Sequence, residues 1–193
     1  MDLTEGSEKI KHDRAKKMML WFGIISMIMT FAGLTSAYVV SKTRPDWLTE
    51  FELPNSFFWS TIVIIFSSVT FVLAKKNIAA ENRKNGAALL IGTLVLAILF
   101  VVLQFRGFSE IFEQGYYFTG SESSVTTSFI YIVVLAHLVH LAAGFIVLLV
   151  VIYNHFKQRY QKGQMLGIEL GATFWHFVDF LWIYLFLFLY FFK

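Results

Sequence analysis

Five stretches of this chain contain no Lys, Arg or Glu: Met18–Val40, Phe57–Leu73, Ala87–Leu103, Phe129–Tyr153 and Ala172–Phe192. They run for 23, 17, 17, 25 and 21 residues, against the roughly 20 a helix needs to cross the ~30 Å apolar core of a bilayer. The pieces between them hold 17, 16, 13, 25, 18 and 1 residues. A segment below about 40 residues rarely folds alone, so no piece is expected to form a soluble domain. The first run is too long for a secretory signal, and no small-residue cleavage site closes it. The fold class that follows is all-α: a polytopic membrane protein built as a five-helix transmembrane bundle. Its organisation reads as a basic tail over 1–17 and one membrane domain over 18–193.

Composition narrows the chemistry. The chain is 57% apolar and 15% charged, where soluble domains carry about 25% charge. It has no cysteine, which excludes disulfides, zinc–thiolate sites, iron–sulfur clusters, Cys-ligated copper and Cys-attached haem. The cations follow topology and do not form a nucleic-acid patch. Five lie in the amino-terminal tail (Lys9, Lys11, Arg14, Lys16, Lys17), four in the second loop (Lys75, Lys76, Arg83, Lys84) and three in the fourth (Lys157, Arg159, Lys162). Lys42, Arg44, Arg106 and Lys193 fall on the other side. That bias puts the amino terminus inside and the carboxyl terminus outside. Trp21, Trp47, Trp59, Tyr116, Tyr117 and Tyr153 fall near span ends, where amphipathic rings settle at headgroups. Asn55-Ser56 behind Pro54 and the stretch Ser121–Ser128 supply helix-start chemistry. No internal repeat and no interrupted half-helix appears.

Polar and small residues inside the runs are the candidate site. Ala32, Gly33, Ser36 and Ala37 make two overlapping small-xxx-small pairs, read as ordinary helix packing or as a partner-docking face. His137 and His140 stand three apart on the fourth run. Glu169, Ala172, His176 and Asp179 share one stripe of the fifth. An intramembrane titratable group is costly and faces a partner or a cavity. The readings are a metal or haem site, a proton relay, and a polar clamp holding helices or lipid headgroups. Haem fails on depth: His176 lies roughly 7 Å and His140 roughly 20 Å from the inner ends of their runs at 1.5 Å per residue. A metal lacks a third ligand, and a relay lacks titratable groups in the first three runs. The clamp is therefore expected, its members being His137, His140, Glu169, Trp175, His176, Asp179 and Trp182, with His176 and Asp179 able to bond directly. Arg83, Lys84 and Arg159 are candidate lipid-headgroup contacts as well as topology residues.

The last run is specific. Gly167-Ile168-Glu169 followed by Trp175-His176-Phe177-Val178-Asp179-Phe180-Leu181-Trp182 closely resembles the carboxyl-terminal helix of subunit III of the haem-copper respiratory oxidases, G-x-E then W-H-F-x-D-x-x-W. His137-Leu138-Val139-His140 with Gly144 resembles that family's H-G-x-H-x-x-x-G. Leu53-Pro54, Thr61, Ser67-Ser68, Thr70 and Ala74 are similar to its second-helix pattern, and Phe100 with Gln104 to the close of the third. The resemblance covers Met18 to the end. Longer members carry seven helices, and this chain matches the last five, as in the short bacterial form. Met27 stands where the family has an embedded Glu, Val40 where it has a His, and Leu138 where it has the Gly between paired histidines. The first two departures weigh against a headgroup or proton-linked role for the first run.

The resemblance implies a non-catalytic core subunit of an aa3-type cytochrome c oxidase in a bacterial plasma membrane. Such a subunit binds no haem, copper or other metal itself and leaves those to partner subunits. It packs on catalytic subunit I, in a complex with subunit II that can join a larger respiratory supercomplex. It holds phospholipid and supports proton uptake and turnover. The Phe51-Glu52-Leu53-Pro54 entry and the five-helix length also resemble quinol oxidases, so the equivalent quinol oxidase subunit is the alternative. A stand-alone small transporter is the rival from another class.

Overall fold

The computed structural model describes residues 8–44, 47–48, 53–118, 124–161 and 164–192. Five helices account for nearly all of them: α1 Glu8–Ser41, α2 Asn55–Ala79, α3 Arg83–Glu113, α4 Val125–Phe156 and α5 Leu166–Phe191. Each is long and apolar enough to cross a membrane, and no strand occurs among the described residues. The protein is an all-α integral membrane bundle. Every helix except α5 at its carboxyl end outruns its apolar core, because the flanks are made of charged helix formers such as Lys9, Lys11 and Glu110. Glu8–Lys17, within the expected basic tail, is helical and runs into the apolar part of α1 without a break.

The helix starts differ in their chemistry. Ser124 and Thr127 form a reciprocal capping box at α4, as its Ser/Thr-rich approach leads one to expect. Residues 121–123 of that approach, like Phe51 and Glu52, lie outside the described residues. At α2 the expectation fails. Pro54 occupies the cap with no side-chain bond, and Ser56 donates instead to Glu110 Oε1 at 2.6 Å. Asn82 caps α3 behind a tight turn in which Glu81 adopts φ 63°.

Interhelical bonds show the helices alternating in direction. Lys17 pairs with Glu169 at 3.6 Å, joining the starts of α1 and α5. His155 Nε2 donates to the Arg83 carbonyl at 3.2 Å, joining the end of α4 to the start of α3. One end of the bundle thus collects Lys9, Lys11, Arg14, Lys16, Lys17, Lys75, Lys76, Arg83, Lys84, Lys157 and Arg159. We call it the basic end; Lys162 and Lys193 lie outside the described residues.

Packing is uneven. The α2–α3 interface is the most extensive, α5 lies against α4 and α2, and among the described helices α1 meets α4 and α5. Gly107 explains the first: a Cβ there would sit 2.6 Å from Phe57 Cε1. The centre is aromatic, with Trp175, Trp182, Tyr38, Phe31, Phe57, Phe71 and Phe100 fully buried. Trp21, Trp59 and Tyr153 are exposed on the flank, where interfacial rings belong. Trp47 is not: it packs edge-on against Tyr38 at 4.8 Å between centroids and seals the core.

Candidate functional site

The residues that chemistry would notice converge on α2. Six of its hydroxyls reach neighbouring helices. Ser56 bonds Glu110, Ser60 accepts from Gln104 Nε2 at 2.9 Å, and Thr70 meets Thr93 at 2.9 Å, all toward α3. Thr61 accepts from Trp182 Nε1 at 3.0 Å, Ser67 from Trp175 Nε1 at 3.2 Å, and Ser68 shares a 2.7 Å bond with His176 Nδ1, all toward α5. The partners on α3 run in the order opposite to α2, and on α5 Trp182 lies level with Thr61 while Trp175 and His176 lie together beside Ser67 and Ser68, as antiparallel helices require. From Ser56 to Thr70 the seam extends roughly 21 Å at 1.5 Å per residue, most of the apolar thickness. Ser60 and Thr61 each also donate to the Phe57 carbonyl at 2.8 Å. Both the proton and the lone pairs of these hydroxyls are therefore used.

The expected clamp residues are distributed more widely than a single clamp. Trp175, His176 and Trp182 join the seam. Asp179 is 2% exposed; the Ser68 hydroxyl lies beside it, yet among the described residues neither carboxyl oxygen completes a hydrogen bond. The direct His176–Asp179 bond is thus absent, because the imidazole turns to Ser68 on α2. Glu169 also stands apart, paired with Lys17 and partly exposed. His137 is fully buried with both ring nitrogens unpartnered, between the rings of Phe100 at 6.2 Å and Trp182 at 5.2 Å. His140 donates to the Ala136 carbonyl of its own helix at 2.7 Å. The structure separates the two histidines: His137 faces the core and His140 faces Phe31 of α1. Among the described residues no three His, Asp or Glu side chains converge as a metal site needs.

The small-residue face of α1 is turned outward. Ala32, Gly33, Ser36 and Ala37 are exposed, and nothing lies within 4 Å of a Cβ added at Gly33. Packing inside the chain is therefore not their role; α1 docks instead through Ile24, Met27, Phe31, Thr35 and Tyr38. Arg83, Lys84 and Arg159 all lie at the basic end. Arg83 and Lys84 open α3, and Arg159 Nη1 donates to Asn154 Oδ1 at 3.3 Å. Nearby Tyr160 sits beside Asn154 without completing a bond to it, and burial pushes its phenol above the ordinary value while Asn154 opposes the shift.

Sequence reasoning read Ser56 only as a helix start and passed over Ser60 and Glu110. For Ser60 the signal was present: the hydroxyls at 60 and 67, and at 61 and 68, recur every seven residues on α2, the spacing of a single helix face.

A family model described as cytochrome c oxidase subunit III matches residues 4–193. The chain belongs to that family. Among relatives, cytochrome c oxidase subunit 3 of Pyricularia grisea is 29% identical over 97% of this chain and 73% of its own length. The proteins of that name from Loxodonta africana and Prototheca wickerhamii are each 28% identical over 97% of this chain and 75% of their own. As a haem-copper oxidase subunit III, the chain carries its W-H-F-x-D-x-x-W pattern on α5. Three of that pattern's residues, Trp175, His176 and Trp182, are the α5 side of the seam. Of the departures from the family pattern, Met27 is buried against the bundle and Val40 is 70% exposed.

The geometry predicts an inversion of what i,i+3 spacing alone suggests. His176→Phe removes a bonded interhelical contact and is expected to cost about 1 kcal/mol. Asp179→Leu removes an unpartnered buried carboxyl, so it is expected to be neutral or stabilising. Thermal unfolding of the two variants in mild detergent checks this. If Leu at 179 destabilises more than Phe at 176, Asp179 has a partner and the seam is misassigned.

Proposed function

We propose that the chain is the non-catalytic subunit III of an aa3-type cytochrome c oxidase, lying in a bacterial plasma membrane with its amino terminus inside. It braces catalytic subunit I within a complex that also contains subunit II, and it sustains proton uptake and turnover there without redox chemistry of its own. The observation carrying this reading is the seam. Trp175, His176 and Trp182 of the family pattern are spent on holding α5 to α2, which is what a brace needs and a reaction centre does not. Haem and copper then belong to the partner subunits. The outward Ala32, Gly33, Ser36 and Ala37 face supports a close helix–helix contact with a neighbouring subunit. The basic end, with Arg83, Lys84 and Arg159, supports contact with phospholipid headgroups. The five-helix length equally suits the quinol oxidase subunit, which is the second reading.

Gentle solubilisation tests the assignment. The chain is expected to migrate with a haem-containing complex while carrying no haem itself, and phospholipid is expected to remain through mild detergent exchange. Reduced cytochrome c and a quinol supplied separately distinguish the two oxidase readings by which one drives oxygen consumption. Purification as a lone chain with full activity of its own would sink both.

A further inference from the structure

At the basic end the α2–α3 turn and the α4–α5 connection enclose a cavity of about 620 Å³. Its walls are of two kinds. Arg83, Glu81 and Gln161 supply polar groups, and Ile78, Ala79 and Met165 supply an apolar side. The cavity between α3 and α4, about 500 Å³, is lined instead by apolar residues such as Val101, Phe105 and Leu141. We propose that the mixed cavity binds the phosphoryl group of a phosphodiester, with Arg83 as its cationic anchor. This rests on the reading that the chain holds phospholipid, and adds where one phosphate sits.

Three observations carry the proposal. First, the local charge is one-sided. Lys75 and Lys76 near the end of α2, Arg83 and Lys84 at the start of α3, and Lys157 and Arg159 just after α4 all lie at this end, and the lining's Glu81 already has a partner within the protein. A guanidinium is the side chain best matched to a phosphoryl group. Second, the position is fixed. Arg83 opens α3, whose amino-terminal dipole favours an anion, and its carbonyl is tied to His155 on α4. Third, the depth is right. Arg83 lies four residues before the apolar run that begins at Ala87, roughly 6 Å from the hydrocarbon at 1.5 Å per residue. That is headgroup level. The apolar wall then gives the glycerol and first methylenes a path toward the bilayer.

The test uses the intact complex and a phosphatidylglycerol carrying a photoactivatable group close to its headgroup. Cross-links are expected on the peptides spanning 78–83 and 160–165. Arg83→Gln is expected to reduce them roughly tenfold, whereas Lys157→Gln, a cation outside the cavity, leaves them within a factor of about two. Inorganic phosphate in excess distinguishes the source. Labelling that survives it marks a lipid phosphodiester, and labelling displaced by it marks a phosphoryl site open to soluble phosphate. Equal losses for the two variants would mean diffuse attraction to a basic surface, overturning the site while leaving the lipid reading intact. No cross-link on these peptides, with phospholipid still retained by the wild-type complex, overturns the site in the same way. Loss of all phospholipid from the wild-type complex removes both readings.

Discussion

Trp182→Ala is expected to destabilise the bundle by about 3 kcal/mol, the low end of the range for removing a buried large aromatic from a core. The low end applies because a bilayer does not reward burial as water does, so the loss is mainly of packing. Trp182 is 1% exposed. Its ring meets Phe57 at 5.8 Å, Phe100 at 5.4 Å and His137 at 5.2 Å between centroids, so truncation opens space beside three helices at once. It also withdraws the only N–H donor that Thr61 receives from α5 among the described residues. Trp182→Phe keeps most of the packing and loses the indole bond, at about 1 kcal/mol. Unfolding of both variants in detergent micelles gives the comparison. Equal effects would mean that the bond, and not the volume, matters at this position.

A second large effect is expected at Gly107. Alanine there would place Cβ 2.6 Å from Phe57 Cε1. Phe57 cannot yield, being 1% exposed and held between Phe108 and Trp182. Overpacking of this kind costs about 1–3 kcal/mol and should part α2 from α3 at this close approach. Gly33→Ala is the control. Its Cβ meets nothing, and the better helix propensity of alanine should leave the chain unchanged or up to about 1 kcal/mol more stable. The same assay reads both substitutions. Matched stabilisation at the two sites would show that helix propensity, and not close approach, governs them.

The five helices were legible because hydropathy records what must avoid water, and the apolar runs do that without ambiguity. Their ends were not. α1 begins at Glu8 and α3 ends at Glu113, ten residues beyond their apolar runs in each case, because flanking charged residues are good helix formers yet carry no hydropathy signal. Within the site, the stripe through Glu169, His176 and Asp179 followed from helical spacing. The partner of each followed from tertiary contacts that spacing does not encode. His176 passes over Asp179, one turn away, for Ser68, 108 positions distant. For the same reason the small residues at 32, 33, 36 and 37 marked a face without saying whether it turned inward or outward. Arg83 was readable as a basic loop residue, and its cavity was not, since that depends on the end of α4 folding back over the start of α3.

The two-way bonding of the α2 hydroxyls bears on the order in which the protein is made. Ser60 and Thr61 donate to the Phe57 carbonyl, and Thr70 to that of Ser67, so these protons are satisfied within the helix itself. α2 can therefore enter the bilayer before its neighbours exist. At these three positions only acceptor lone pairs wait, and an unfilled lone pair on a bonded hydroxyl costs far less in hydrocarbon than a free donor. Trp182 arrives 121 residues after Thr61, and Trp175 arrives 108 after Ser67. Membrane insertion and lateral assembly are thus separable stages. A ribosome-bound chain that stops short of α5 should be fully inserted yet open along one side, where quality-control proteases that act within the membrane would find it.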